Sequence, residues 1–244
     1  MNASKRVDFI KNWITNYIQS MPKKASALVV GVSGGIDSAV VSTISSMTGL
    51  KTFVLSMPIK QIKIQDDLSK LHCKWLVSNF KNVSYLNVNL DNVFSSFENA
   101  LGENNSEHAF ANSRARLRMT TLYQVAGSNN GIVVGTGNKV EDFGVGFYTK
   151  YGDGGVDISP IADCTKSQVW EMGEFLEIDH KIISAPPTDG LWVDGRNDED
   201  QLGMTYKELE EAMENPKSEN YNKYLKIREN NLHKIKEIPV CKFD

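Results

Sequence analysis

Residues 27 to 40 read ALVVGVSGGIDSAV: a β-branched apolar run, a cluster of small residues, then a second apolar run. The first run has the length and composition of a buried strand. The second, opening after two glycines, predicts a helix over 36–48, so the junction is a strand-to-helix turn. Three further runs, TFVLSM (52–57), YLNVNL (85–90) and GIVVGT (131–136), also read as strands. Helical segments at 66–80 and 109–127 separate them, the first with Leu68, Leu71, Trp75 and Leu76 along one side. Strands alternating with helices predict βαβ units, hence an α/β, Rossmann-like fold whose parallel sheet is covered by helices on both faces. Ile10, Trp13, Ile14, Tyr17 and Ile18 predict an additional amphipathic helix over about 5–19. Helices at 165–177 and 205–214 and a Lys- and Asn-rich helical tail to about 236 form a C-terminal elaboration. The glycine-rich, aperiodic stretch 137–157 is expected to be a functional loop. A chain of 244 residues without internal repeats is expected to form a single domain over 1–244.

Composition narrows the function. A charged fraction of 23% beside a hydrophobic fraction of 41% suits a soluble globular protein. No stretch approaches the roughly 20 apolar residues needed to cross a membrane, and MNASKRVDFIKNW lacks the apolar core of a signal peptide. A net charge of -3 argues against a nucleic-acid partner. Cys73, Cys164 and Cys241 are odd in number and contain no CxxC pair, which predicts a reducing, cytoplasmic setting. The four histidines are scattered and no HExxH occurs.

The turn after the first strand carries chemistry. In an open parallel sheet, ligands gather at the carboxyl ends of the strands. Gly34 and Gly35 leave backbone N–H groups free to approach an anion, Ser33 and Ser38 add hydroxyls, and the helix beginning at Ile36 contributes a positive N-terminal dipole. These features favour a phosphate. Asp37 does not, unless a divalent cation lies between the carboxylate and the phosphate. A Gly-Gly turn followed by an Asp in a first helical turn is equally well a structural feature, and the chain has neither GxxxxGK[ST] nor GxGxxG.

SGGIDS (33–38) resembles the pyrophosphate loop of the N-type ATP pyrophosphatases, which adenylate their substrates. GTGNKVEDFGVGFYTKYGDGGVDISPI (135–161) resembles the signature region of the NAD synthetase family within that group. NSRARLRM (112–119), TK (165–166), PPTDGL (186–191), DEDQLG (198–203) and HK (233–234) follow in the same order as in that family. The resemblance implies ATP-dependent amidation of deamido-NAD through an adenylate, with Mg²⁺ as cofactor; the alternatives are another amidating or thiolating ATP pyrophosphatase, or a non-catalytic nucleotide-binding module of the same fold. It assigns Gly31, Val32, Ser33, Gly34, Gly35, Ile36, Asp37, Ser38, Thr136, Lys166 and Thr188 to ATP, and Asp37 and Glu141 to the metal. Lys166 becomes the cation on the leaving pyrophosphate. Arg116, Lys150, Asp157, His233 and Lys234 are implied for deamido-NAD, and Asp153 for the incoming ammonia. Taken singly, Glu141, Lys166 and Thr188 read as surface or turn residues; their joint occurrence in family order is what gives them roles. Arg114, Arg116 and Arg118 lie two apart on a helix, so at most part of that basic patch can address one ligand.

Three departures stand out. Ser56 falls near the place where relatives carry an arginine on the adenine. The stretch between Glu141 and Lys150 is one residue longer than in some relatives. Cys164 replaces a larger aliphatic, as a small buried hydrophobe. At this length no glutamine-hydrolysing domain is expected beside the synthetase domain, and His72-Cys73 lies on a helix without a supporting motif, so free ammonia is the expected nitrogen donor. The resemblance also implies a homodimer, with no membrane or nucleic-acid partner.

Overall fold

The computed structural model describes residues 1–188, 190 and 197–243. Four parallel strands, β1 (Ala27–Gly31), β2 (Lys51–Ser56), β3 (Val83–Asn87) and β4 (Gly131–Val133), form a sheet in the order β3-β2-β1-β4. The register pairs Val30 with Val54, Val29 with Val133, and Ser56 with Asn87. The chain steps outward from β1 to β3 and then returns to place β4 on the other side of β1. That reversal opens a crevice at the carboxyl ends of β1 and β4.

Alternation along β1 explains why the sheet is covered twice. Leu28 and Val30 pack on α1 (Ala3–Ser20), α2 (Ile36–Met47) and the later α6 (Lys166–Phe175). Ala27 and Val29 point the other way, toward Phe94 of α4 (Asp91–Leu101) and Met119, Leu122 and Ala126 of α5 (Glu107–Ser128). On the α2 side, α3 (Lys63–Asn79) brings Cys73 and Leu76 against Val32, Val54 and Val83. Leu28, Val29 and Val30 are fully buried; each such side chain contributes about 1.5–3 kcal/mol on leaving water.

Several boundaries differ from expectation, each for a physical reason. The buried face of α1 is Val7, Ile10, Ile14 and Ile18, while Trp13 and Tyr17 stack on its flank with ring centroids 5.8 Å apart. The fourth strand ends at Val133; Val134 forms only an isolated bridge to Ile158, because the chain turns there into the site. The third strand runs over 83–87 rather than 85–90, and α4, which burial of Phe94 secures, follows it almost at once. Within the expected loop, Lys139–Val145 wind into a π-helix. Such wider turns recur at functional sites, and this one carries Glu141.

The C-terminal elaboration has its own core. Val140 and Val145 of the π-helix pack with Leu202, Tyr206, Leu209, Ala212 and Tyr224. These last come from α8 (Asp198–Leu202), α9 (Tyr206–Glu214) and α10 (Tyr221–Ile235), which follow the short α7 (His180–Ile183). Trp170 of α6 borders both this cluster and the main core. No helix among the described residues is long and apolar enough to cross a membrane.

Candidate active site

The turn after β1 is rigid by its own hydrogen bonds. Ser38 Oγ accepts from the Ser33 amide at 3.1 Å and donates to the Gly35 carbonyl at 2.9 Å. Ser33 Oγ accepts from the Gly35 amide at 3.2 Å. Gly34 has φ +95°, and a Cβ there would lie 2.7 Å from the Gln65 carbonyl oxygen; only glycine fits. Gly35 caps α2 without a side-chain hydrogen bond, leaving the positive helix terminus to a ligand.

The turn after β4 is tied to it by Asn138, which is fully buried. Its Nδ2 donates to Asp37 Oδ1 at 3.0 Å, and its Oδ1 accepts from the Val140 and Glu141 amides, each at 3.0 Å. Lys166 opens α6 inside the capping box formed by Thr165 and Gln168. Its Nζ lies 2.5 Å from Asp37 Oδ2 and 2.9 Å from Glu141 Oε1, and the residue is 2% exposed. Tyr206 OH donates to the same Glu141 oxygen at 2.5 Å and lies 3.2 Å from Asp198 Oδ2.

Burial opposes charge at all three ionisable centres; attraction overcomes it at Lys166 and Glu141 but not at Asp37. For Lys166, burial favours the neutral amine, but Asp37 and Glu141 outweigh it and hold the ammonium charged well above its usual range. For Glu141, burial is overcome by Lys166 and the Tyr206 hydroxyl, and its pKa falls. Asp37 gains less: burial together with the Glu141 charge raises its pKa despite Lys166. Three buried charges sum to one net negative, an arrangement costly unless it serves a purpose. Two carboxylates from separate turns already converge on a single cationic point, so the oxygen donors fit a hard divalent ion.

A cavity of about 230 Å³ runs from these groups along the ends of β1 and β2. Every residue of the β1 turn from Gly31 to Ser38 except Gly34 lines it, with Thr136, Glu141, Lys166, Thr188 and Ser56; Gly34 packs toward Gln65 and Ser69 of α3. Ser56 Oγ is committed to Tyr85 OH at 2.7 Å and Asn87 Oδ1 at 3.1 Å. Asp153 reaches the cavity while its Oδ1 accepts from the Thr149 amide at 3.0 Å. Asp142 stands beside it. Its carboxyl occupies the space a side chain on Gly137 would need, since a Cβ there would sit 1.8 Å from Asp142 Oδ2. Burial, then the charges of Asp153, Glu141 and Asp37, push the Asp142 pKa well upward.

Of the residues implied for the second substrate, Arg116, Lys150 and His233 are linked to one another, while Lys234 and Asp157 have other partners. Arg116 Nε donates to the Lys150 carbonyl at 3.2 Å, and Lys150 Nζ to the His233 carbonyl at 3.1 Å. Lys234 Nζ donates to the Tyr148 carbonyl at 2.9 Å. Burial lowers the Lys234 pKa, against the pull of Asp153 and Asp142. Asp157 accepts from Tyr123 OH at 3.0 Å and from the Val133 amide at 2.7 Å, anchoring the end of β4. None of these five residues lines the cavity. The three arginines of the NSRARLRM helix part company, as their spacing requires. Arg114 is buried with its guanidinium 5.5 Å from the Phe94 ring centroid, Arg116 faces outward, and Arg118 reaches the cavity and the Met57 carbonyl at 3.0 Å. Of PPTDGL, Asp189 and Leu191 lie outside the described residues.

Sequence reasoning missed Asn138, Asp142, Asp198 and Tyr206. Asn138 and Asp142 sit inside the quoted signature stretch, so their positions were visible though their roles were not. Tyr206 carried no local signal beyond heading a predicted helix.

A family model described as NAD synthase matches residues 6–241. The chain belongs to the NAD synthase family. It is 38% identical over 215 residues to the NH(3)-dependent NAD(+) synthetase of Carboxydothermus hydrogenoformans, covering 86% of this chain and 85% of that one. Its identity to the Mesoplasma florum protein of the same name is 36%, over 93% and 91% of the two chains. The structure of NMN synthetase from Francisella tularensis superposes with a TM-score of 0.90 at 30% identity, covering 100% of both chains. The matched span takes in both turns that meet at Lys166.

Proposed function

We propose that this protein is an ammonia-dependent NAD synthetase, joining deamido-NAD and ammonia at the expense of ATP to give NAD, AMP and pyrophosphate. The observation that carries the reading is the meeting of Asp37, Glu141 and Lys166 at the mouth of the phosphate turn. A nicotinate carboxylate oxygen attacks the α-phosphorus of ATP and pyrophosphate leaves, forming an acyl-adenylate. The nitrogen of ammonia then attacks the acyl carbon, AMP departs with the bonding pair, and the surplus proton is taken by a nearby carboxylate or water. Phosphoryl transfer of this kind needs positioning and charge neutralisation more than covalent chemistry.

In this reading residues 31–38 cradle the triphosphate, with Thr136 and Thr188 alongside, and Lys166 follows the charge that develops on pyrophosphate. Asp37 and Glu141 hold Mg²⁺, which supplies neutralising charge to the phosphate oxygens when bound. Adenine packs against Met57, Met119 and Leu122 of the cavity wall in place of an arginine. Asp153, joined by Asp142, faces the incoming ammonia. Arg116, Lys150, Asp157, His233 and Lys234 address deamido-NAD. The proposal includes a homodimer, supported by the exposed Phe9, Trp13 and Tyr17 on α1, and cytoplasmic residence, supported by the free thiols of Cys73, Cys164 and Cys241. Light scattering tests the dimer.

The high structural likeness to an NMN synthetase favours one alternative acceptor, nicotinate mononucleotide. Purified protein with ATP, Mg²⁺ and ammonia is therefore offered each acceptor in turn and AMP is measured. AMP release with deamido-NAD at the higher kcat/KM upholds the first reading. Preference for the mononucleotide establishes the second, and no AMP with either acceptor overturns both.

A further inference from the structure

Tyr206 touches both charged partners at the centre of the site. Its hydroxyl donates to Glu141 Oε1 at 2.5 Å, and its ring centroid lies 4.9 Å from Lys166 Nζ. The ring itself is fixed from several sides. It is 2% exposed, stands edge-on to Trp170 at 5.9 Å, and its backbone amide donates to Glu199 Oε1 at 2.9 Å. Behind it the capping box of Thr205 and Glu208 sets the start of α9. Glu141 itself stands on the π-helix Lys139–Val145, an element that recurs at functional sites.

We infer that Tyr206 is a positioning residue for the reaction: its hydroxyl fixes the Glu141 carboxylate for the metal, and its ring face holds the Lys166 ammonium. The inference rests on the proposed roles of Glu141 and Lys166. Partners that orient a ligating carboxylate in this way set metal affinity, typically by 10- to 100-fold. An ammonium over an aromatic face gains a separate electrostatic attraction that needs no hydroxyl. The two contributions therefore come apart on substitution. They also make the C-terminal core a working part of the nucleotide site, since Tyr206 packs with Leu209, Ala212 and Val140.

Tyr206→Phe keeps the ring and removes the hydroxyl; Tyr206→Leu removes both. Mn²⁺ binding is measured by electron paramagnetic resonance with a non-hydrolysable ATP analogue, and kcat is measured at saturating Mg²⁺. Tyr206→Phe is expected to weaken Mn²⁺ binding about tenfold or more, and its fall in kcat is expected to shrink as Mg²⁺ is raised to saturation. Tyr206→Leu is expected to lose kcat that added Mg²⁺ does not restore. In a Glu141→Gln background, Tyr206→Phe is expected to have no further effect on Mn²⁺ binding. A Phe variant that binds Mn²⁺ within twofold of wild type overturns the inference, as does an undiminished loss in the Glu141→Gln background. Should the Leu variant not fold, the Phe comparison decides alone. Wild-type protein that releases no AMP would count against the proposed function, whereas the Mn²⁺ measurement reads Tyr206 independently of turnover.

Discussion

The two ends of the candidate site are held together by different kinds of contact. At the phosphate end, charged side chains grip charged side chains: Lys166 binds Asp37 and Glu141, and Asn138 bridges the two turns. At the other end, Arg116, Lys150 and Lys234 each rest on a neutral backbone carbonyl. Breaking a buried ion pair by removing one partner costs about 3–5 kcal/mol, whereas a typical hydrogen bond contributes about 0.5–1.5 kcal/mol net. The phosphate end is thus assembled before any ligand arrives. Arg116, Lys150 and Lys234 are lightly tethered, so under the proposed function they can be drawn onto an anionic acceptor at little cost.

The largest effect is expected at the assembled end. Lys166→Ala leaves two buried carboxylates facing one another. It should lower kcat by about 10³-fold or more, the scale of losing a preorganised electrostatic group. Thermal melting should show an accompanying destabilisation of about 3–5 kcal/mol. A variant that melts like wild type and changes only the KM for ATP would break the contrast. Gly34→Ala comes next, because an L side chain at φ +95° must also meet the Gln65 carbonyl. Denaturant titration should show a loss exceeding the roughly 1–2 kcal/mol of the left-handed conformation alone, together with a raised KM for ATP.

A titration sharpens the comparison from beneath the same turn. His72 lies buried between α2 and α3, its Nε2 3.1 Å from Ser42 Oγ, and burial lowers its pKa to about 4 despite the Ala39 carbonyl. The folded chain keeps it neutral while the unfolded chain takes up a proton below about pH 6.5. Stability is therefore complete above that pH and is lost as pH falls toward 4. Between pH 7.5 and pH 5 urea unfolding should register about 2 kcal/mol from this group, and His72→Gln should flatten that part of the profile. An unchanged slope in the variant would remove His72 from the account. The smallest effect belongs to the tethered end: Arg116→Ala should raise the KM for the amide acceptor about tenfold, with KM for ATP unmoved. Equal changes in both would mean the two ends are not separate.

The sequence alone determined what depends on neighbours along the chain. The β-branched run 27–32, the two glycines and Asp37 had to form a strand, a turn and a helix terminus, because period, φ and dipole are local properties. Family order extended that certainty to Glu141 and Lys166, and the structure brings all three together. The tertiary structure decided which of Arg114, Arg116 and Arg118 enters the core, the surface or the cavity, since helix phase depends on what packs against it. It also placed Asp142 in the space left by Gly137, and Tyr206 against Glu141, 65 residues away in the chain. No local pattern encodes such contacts, because they arise only when the C-terminal helices fold back over the turn after β4.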